Sequence, residues 1–309
     1  MKALPSFRTG KPRVEQGYVT PLDAVDLPFT IIEGHQPGPC LLITAGVHAS
    51  EYCSIEAAVR MQKLRPEDIK GTLVVMPILN GTGFRKRSIY IMPEDGKNLN
   101  RQFPGRADGT FSERLAHWLT SEVYPKVDAY MDLHGGDLDE ALTPFTIYPQ
   151  ESEASRAMAV AFGIPINIAS TSPSHTVRAA WNVGVPSILP EVSGNGLWND
   201  GLVRQMTDGI ERVMKHLGML DRPAAGILPG DAEFVTMWVP AAPATGLWYC
   251  THEVGAEVVE GQVLGEIKDV FGKLLATITS QKSGKIVYRL TSLSVNEGEA
   301  LLGVGTPLL

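Results

Sequence analysis

Cysteine is scarce. The 309 residues hold three, Cys40, Cys53 and Cys250, far apart and in no CxxC pair. An odd, scattered set excludes a disulfide framework and reads as buried thiols. Cys53, two residues beyond Glu51, would need an activating partner to act as a nucleophile, and the sequence shows none. A dense Lys/Arg run is also lacking, and the formal net charge is -7, so no nucleic-acid partner is expected. No apolar stretch approaches the roughly 20 residues of a membrane helix. The opening MKALPSFRTGKPRVEQ has no apolar core of a secretory signal. These absences lead us to expect a cytoplasmic protein with no membrane partner.

What is present is ample apolar material, 44% of the chain. That supports two domains, or one large domain with an appendage. From about residue 26 to 220, apolar runs alternate with amphipathic stretches. Strands are predicted at Pro39–Ala45, Thr72–Leu79, Val127–Leu133 and Pro186–Leu189. Helices are predicted at Cys53–Leu64, at Phe111–Val123 with Ser112 as N-cap, and at Leu197–Leu217. This alternation implies an α/β fold, a mostly parallel sheet covered by helices on both faces. Near Asp221–Gly226 the pattern changes. Short strands then alternate with glycine turns and no helix is predicted. The expected division is a first domain over 1–222 and a small all-β domain over 223–309.

Four segments carry polar residues suited to chemistry: GVHASEY, KNLNRQFPG, MDLHGGD and LPEVSG. Three of them follow predicted strands. In an open parallel sheet the carboxyl ends of the strands share one edge, where ligands bind. His48, Glu51, His134 and Glu191 are therefore expected to converge. His48 and Glu51, three apart at a strand-to-helix turn, can aim at one point. Two His and one carboxylate are ordinary zinc ligands, and three protein ligands leave a position open, as in catalytic sites. Zinc in such a site makes hydroxide available near neutral pH. A carboxylate must then take the water proton and pass it to the leaving nitrogen. Glu191, between Ile188-Leu189-Pro190 and Val192, is the candidate, since apolar surroundings raise a carboxyl pKa.

Each signal has a plain alternative. A lone HxxE is weak, His134 before two glycines suits a turn, and Glu191 suits a surface. Arg101, beside Asn100 in a loop, is either solvated or grips a carboxylate with its planar fork. Arg85, Lys86 and Arg87 form a basic loop, or one of them holds a developing oxyanion. His117 reads as structural, and His216 suits the end of a helix. His35 and His252 receive no role. His175, near Arg178, is a further residue that could face substrate.

With Gly46-Val-His48-Ala-Ser-Glu51, Asn98-Leu-Asn-Arg101, Asp132-Leu-His134-Gly-Gly-Asp137 and Pro190-Glu191 in this order, the sequence resembles the succinylglutamate desuccinylase/aspartoacylase family of zinc-carboxypeptidase-like deacylases. The resemblance spans most of 26–220. It implies one zinc ion per chain at His48, Glu51 and His134, and Glu191 as general base and then acid. It implies that Asn100 and Arg101 hold a substrate carboxylate. Arg87 best matches the family's carbonyl-polarising Arg, with Arg85 its competitor. Residues 255–265 and 283–286 resemble the barrel sandwich of biotinyl and lipoyl domains. The carrier lysine motif is missing there, which favours a packing or oligomerising role.

The implied activity is removal of an acetyl- or succinyl-type group from a small N-acyl amino acid. A zinc carboxypeptidase acting on peptides is the alternative. A binding protein that keeps the fold without the chemistry is a third reading.

Overall fold

The structure is a computed structural model that describes residues 3–22, 25–223 and 231–308. Its first part holds nine strands and six α-helices. The strands are β1 (Arg13–Leu22), β2 (Val25–Glu33), β3 (Gln36–Ala45), β4 (Lys70–Met76), β5 (Ala129–Leu133), β6 (Glu140–Leu142), β7 (Phe145–Pro149), β8 (Ile166–Ser170) and β9 (Ser187–Glu191). The helices are α1 (Tyr52–Met61), α2 (Gly81–Lys86), α3 (Phe111–Trp118), α4 (Glu153–Phe162), α5 (Thr176–Asn182) and α6 (Asp200–His216).

Eight of these strands lie side by side in the order β1-β2-β4-β3-β5-β9-β7-β8. The central β4, β3, β5 and β9 are mutually parallel. Strands β1 and β2 pair antiparallel, as do β2 and β4. Strand β7 runs against β9 and along β8. The expectation of a mostly parallel sheet thus holds for the centre and gives way to a mixed sheet at the flanks. A parallel neighbour needs a long crossover, such as the α1 segment between β3 and β4. Chain segments as close as β1 and β2 must pair antiparallel.

The centre is apolar because both faces are covered. Along β3, Leu41 and Ile43 pack with α1, α4 and α6, while Cys40 and Leu42 pack with α3 and α5. That is the two-residue period of a strand. Each such fully buried aliphatic side chain contributes about 1.5–3 kcal/mol.

Helix boundaries follow their caps. Helix α6 begins at Asp200, not Leu197, because Asn199 accepts the Leu202 N–H at 3.2 Å, leaving Leu197 and Trp198 exposed. Helix α3 is capped at Thr110, whose N–H donates to Glu113 at 2.7 Å. Ser112 lies inside that helix, giving its N–H and hydroxyl to Asp95 at 2.8 and 2.7 Å. Beyond Trp118 the helix widens into a π turn over Leu119–Val123.

The described residues after Pro223 hold strands and no helix: β10 (Glu233–Trp238), β11 (Gly246–Cys250), β12 (Glu257–Val258), β13 (Val263–Lys268), β14 (Leu274–Thr279), β15 (Gly284–Leu290), β16 (Ser294–Val295) and β17 (Leu302–Pro307). Residues 224–230, within the stretch where the sequence pattern changes, lie outside the described residues. Strand β10 joins β8 in parallel, and β17, β15 and β12 continue the main sheet. Strands β14, β13, β11 and β16 form a second sheet. Trp248 and Ile267 from the second sheet meet Ile286 and Val304 from the first in a separate apolar core. Strand β6 pairs with β15 and ties these strands to the segment after His134.

Candidate active site

The carboxyl ends of β3, β5 and β9 are neighbours along one sheet edge, and His48, His134 and Glu191 stand there. After β3 the chain turns at Gly46, whose φ of +62° is open to glycine at little cost. This turn delivers His48 and then Glu51, the N-cap residue of α1. Their spacing brings His48 Nδ1 to 2.7 Å from Glu51 Oε1. His134, one residue beyond β5, places its Nδ1 3.0 Å from Glu51 Oε2. All three residues are buried, and one ligand atom from each lies within 4.8 Å of the others.

The far nitrogens of both imidazoles are tied to oxygen acceptors. His134 Nε2 lies 2.9 Å from Asp132 Oδ2, and His48 Nε2 lies 3.2 Å from Asn98 Oδ1. A carboxylate can only accept, so His134 donates its Nε2–H to Asp132 and presents Nδ1 to Glu51. Asn98 Oδ1 also accepts the Asn100 N–H at 2.9 Å, which marks it as the oxygen, so His48 likewise donates its Nε2–H outward and presents Nδ1 to Glu51. Buried His134 Nδ1 is left without a hydrogen-bond partner. Two imidazole Nδ1 atoms and one carboxylate converge here, and an ion bound between them would take the place of protons on Nδ1. The donor set therefore fits a divalent cation, with the outer acceptors orienting its ligands.

Asp132 is itself held by Thr44 Oγ1 and Thr176 Oγ1, both at 2.6 Å. Sequence reading gave Asp132 and Asn98 no role of their own. The available signal was strand periodicity, which puts Asp132 and His134 on one face of the chain.

Glu191 ends β9 beside His134, the His134 N–H donating to Pro190 O at 3.0 Å and the Val192 N–H to His134 O at 3.2 Å. Burial raises the Glu191 carboxyl pKa well above the ordinary range, and the Glu51 charge adds to it, against an opposing pull from His134. The glycines of HGGD serve close packing. A Cβ on Gly135 would come within 2.4 Å of Val192 O, and one on Gly136 within 2.4 Å of Glu140 O.

His48, Glu51 and Glu191 line a cavity of about 350 Å³, together with Asn100, Arg101 and His175. Asn100 is buried, and its Oδ1 accepts the Thr176 N–H at 2.9 Å. Its amide NH₂ thereby remains for other partners. Arg101 has no carboxylate within ion-pair distance among the described residues; its Nη1 donates to Asn100 O at 3.1 Å. His175 is held neutral, its pKa down at about 3, by burial and by the positive charge of Arg101. Arg178 turns elsewhere, to Ser170 O and Glu151.

Arg87 is not brought in. It is exposed, in the left-handed conformation that ends α2, and neither it nor Arg85 lines the cavity. Cys53 is buried and its thiol is pushed up to about 12 by that burial, which removes it as a nucleophile. The other residues that sequence reading missed come from the segment after His134 and from the C-terminal strands. Asp139 and Glu140 line the cavity, as do Met237, Tyr288, Leu290 and Glu299.

The catalytic-domain profile of the succinylglutamate desuccinylase/aspartoacylase family matches residues 37–217. The chain belongs to that family. An N-alpha-acetyl-L-2,4-diaminobutyric acid deacetylase of Halomonas elongata is 28% identical over 298 residues, which cover 90% of this chain and 85% of the relative. A succinylglutamate desuccinylase/aspartoacylase structure from Rhodobacter sphaeroides is 28% identical, covers 100% of both chains and superposes with a TM-score of 0.84. The product-bound ectoine utilization protein EutE of Ruegeria pomeroyi shares the fold, with a TM-score of 0.86 at 24% identity, covering 99% of this chain and 98% of that one. No described helix is long and apolar enough to cross a membrane.

Proposed function

We propose that this family member is a zinc-dependent amidohydrolase that removes an acetyl- or succinyl-type group from a small N-acylated amino acid. The observation that carries the reading is the buried His48–Glu51–His134 group beside one cavity that His48 and Glu51 line together with Glu191 and Arg101, a cation with no acidic partner among the described residues. His48 and His134, through Nδ1, and Glu51 would hold one zinc ion per chain. When bound, the ion supplies a Lewis acid that polarises the amide carbonyl and acidifies water.

The remaining work falls to the chain. Arg101 grips the substrate carboxylate with two N–H groups of its fork, and the Asn100 NH₂ adds a donor. Glu191 takes a proton from the attacking water and returns it to the leaving nitrogen. Arg87 has no part in this scheme as the chain stands. We assign 1–222 to the hydrolase and 223–309 to a small β unit of barrel-sandwich type that closes the cavity and carries no lipoyl or biotinyl group.

The test is turnover by zinc-loaded protein on N-acetyl and N-succinyl amino acids beside dipeptides. Release of a free amino acid from the acyl compounds, with one zinc per chain, is expected. Preference for dipeptides would replace this reading with the carboxypeptidase. Zinc binding without turnover on the whole panel would replace it with a binding protein.

A further inference from the structure

We propose that the amino acid released here has an uncharged, apolar side chain of leucine size, and that a wall built on Phe145, Ile147, Leu189 and Met237 selects it. This rests on the deacylase reading above and names the substrate class of that site.

Sheet register lays out the cavity from one flank to the other. His48 follows β3, and His134 follows β5 and bridges to Glu191 at the end of β9. One strand further, Glu191 pairs with Phe145 of β7, and Leu189 with Ile147. Directly opposed residues of neighbouring strands share a face, about 5 Å apart. The row therefore runs His48, His134, Glu191, Phe145, and changes from polar donors to hydrocarbon at β7. Phe145, Ile147 and Leu189 belong to one apolar core and still line the cavity. Met237 of β10 and Leu142 of β6, both partly buried against that core, extend the same wall. The cavity, about 350 Å³, has the size of a small-molecule site. Hydrocarbon left facing water there is unfavourable, and an apolar group of the substrate covers it.

Acidic residues gather on the opposite flank. Tyr90 stands edge-on to the His48 ring, centroids 5.6 Å apart. Its hydroxyl donates to Asp139, next to Glu140, at 3.3 Å. Arg101 is the one Lys or Arg that lines the cavity among the described residues, and the α-carboxylate takes it. A side-chain carboxylate would find no second cation. A side-chain ammonium against the β7 wall would be withdrawn from water without a counter-charge.

The direction of the reaction identifies which half of the substrate meets the wall. Glu191 returns its proton to the leaving nitrogen, so that nitrogen and its Cα lie on the Glu191 side. The α-carboxylate and the side chain branch from this same Cα. With the carboxylate at Arg101, the side chain goes to β7, one strand beyond Glu191. The acyl carbon stays with the His48–Glu51–His134 group.

Nα-acetyl derivatives of alanine, leucine, aspartate and 2,4-diaminobutyrate separate size from charge. We expect kcat/KM for acetyl-leucine to exceed that for acetyl-alanine by about 10²-fold, with both charged substrates below acetyl-leucine. In Met237→Gln the leucine-to-alanine ratio should fall several-fold. Leu142→Gln repeats the test at a second partly buried position, and zinc content and Tm of each variant report on folding. Equal use of leucine and alanine derivatives, or preference for either charged one, overturns the proposal and leaves the deacylase reading standing. So does an unchanged ratio in the folded variants. A gain for Nα-hexanoyl-alanine in place of acetyl-leucine would seat the acyl half on the wall and overturn it too. If no amide is cleaved, the deacylase reading fails, and calorimetry of free leucine against alanine still decides the proposal, equal binding sinking it.

Discussion

Asp132 fixes His134 from behind, its Oδ2 lying 2.9 Å from Nε2 while Thr44 and Thr176 saturate the carboxylate. The imidazole can then offer only Nδ1 to the pocket it shares with Glu51. Outer partners of metal ligands typically govern about 10–100-fold in metal affinity. Asp132→Asn replaces an acceptor by a donor toward one of these three groups. Chelator competition should show zinc binding weakened by that factor, against a much larger loss in His134→Ala. Unaltered affinity in Asp132→Asn would mean that the ring is positioned by packing alone.

Glu191→Gln tests the base. The substitution preserves volume and hydrogen-bonding shape at the end of β9 but cannot accept a proton. We expect zinc content close to one per chain and kcat lower by about 10²–10⁴-fold. Turnover near wild type would transfer the proton-handling role to another carboxylate of the cavity.

Much of the His48–Glu51–His134 group was legible in the sequence for a physical reason. His48, His134 and Glu191 are strand-end residues, and apolar runs such as Cys40–Ala45 reveal buried strands without ambiguity. Parallel order then dictates which ends meet. The flanks were less legible. Strand β1 alternates exposed with half-buried positions, β2 buries its last five residues in one run, and neither carries chemistry. Strand β6 has three residues and exists by pairing with β15, a partner distant in the chain. For the same reason the contribution of Tyr288 and Leu290 to the cavity left no local mark. Arg87 shows what sequence distance leaves open: its left-handed backbone ends α2, and it does not line the cavity.

Away from the site, Glu33 gives a stability prediction with a definite sign. Its carboxylate accepts the Thr9 N–H at 2.8 Å, the Gly10 N–H at 2.7 Å, the Thr9 hydroxyl at 2.7 Å and Arg13 Nε at 3.3 Å. Burial acts to raise its pKa, but these bonds prevail and lower it. A folded pKa below the unfolded value of about 4.3 means stabilisation that is complete above that pH. It is lost as pH falls through the folded value. Glu33→Gln should cost about 1–3 kcal/mol at pH 7. Urea unfolding of both proteins should show the gap closing on acidification below about pH 4. A gap independent of pH would show that shape, not charge, holds the segment before β1.

The proposed recognition of the α-carboxylate by Arg101 is testable by coupling. In a chain of net charge -7 the overall field does not draw an anion in, so a local cation must. Arg101 faces the cavity with no acidic partner among the described residues, and Asn100 beside it is oriented by the Thr176 N–H, which claims its oxygen and frees its NH₂. Lysine cannot reproduce a planar pair of donors, so Arg101→Lys should be harmful although the charge is kept. Loss of one partner of a desolvated charge pair commonly costs about 2–5 kcal/mol, so kcat/KM should fall by about 10²-fold or more in Arg101→Ala. If the grip also aligns the scissile amide beneath Glu191, kcat falls with it, because binding energy is then spent on the transition state. The deciding comparison replaces the substrate α-carboxylate by a neutral carboxamide. Wild type should lose heavily on the carboxamide, and Arg101→Ala, with no guanidinium left to disappoint, should lose little. If the two enzymes lose the same factor, the carboxylate is bound elsewhere. The cation then serves only to keep His175 neutral at the wall of the cavity.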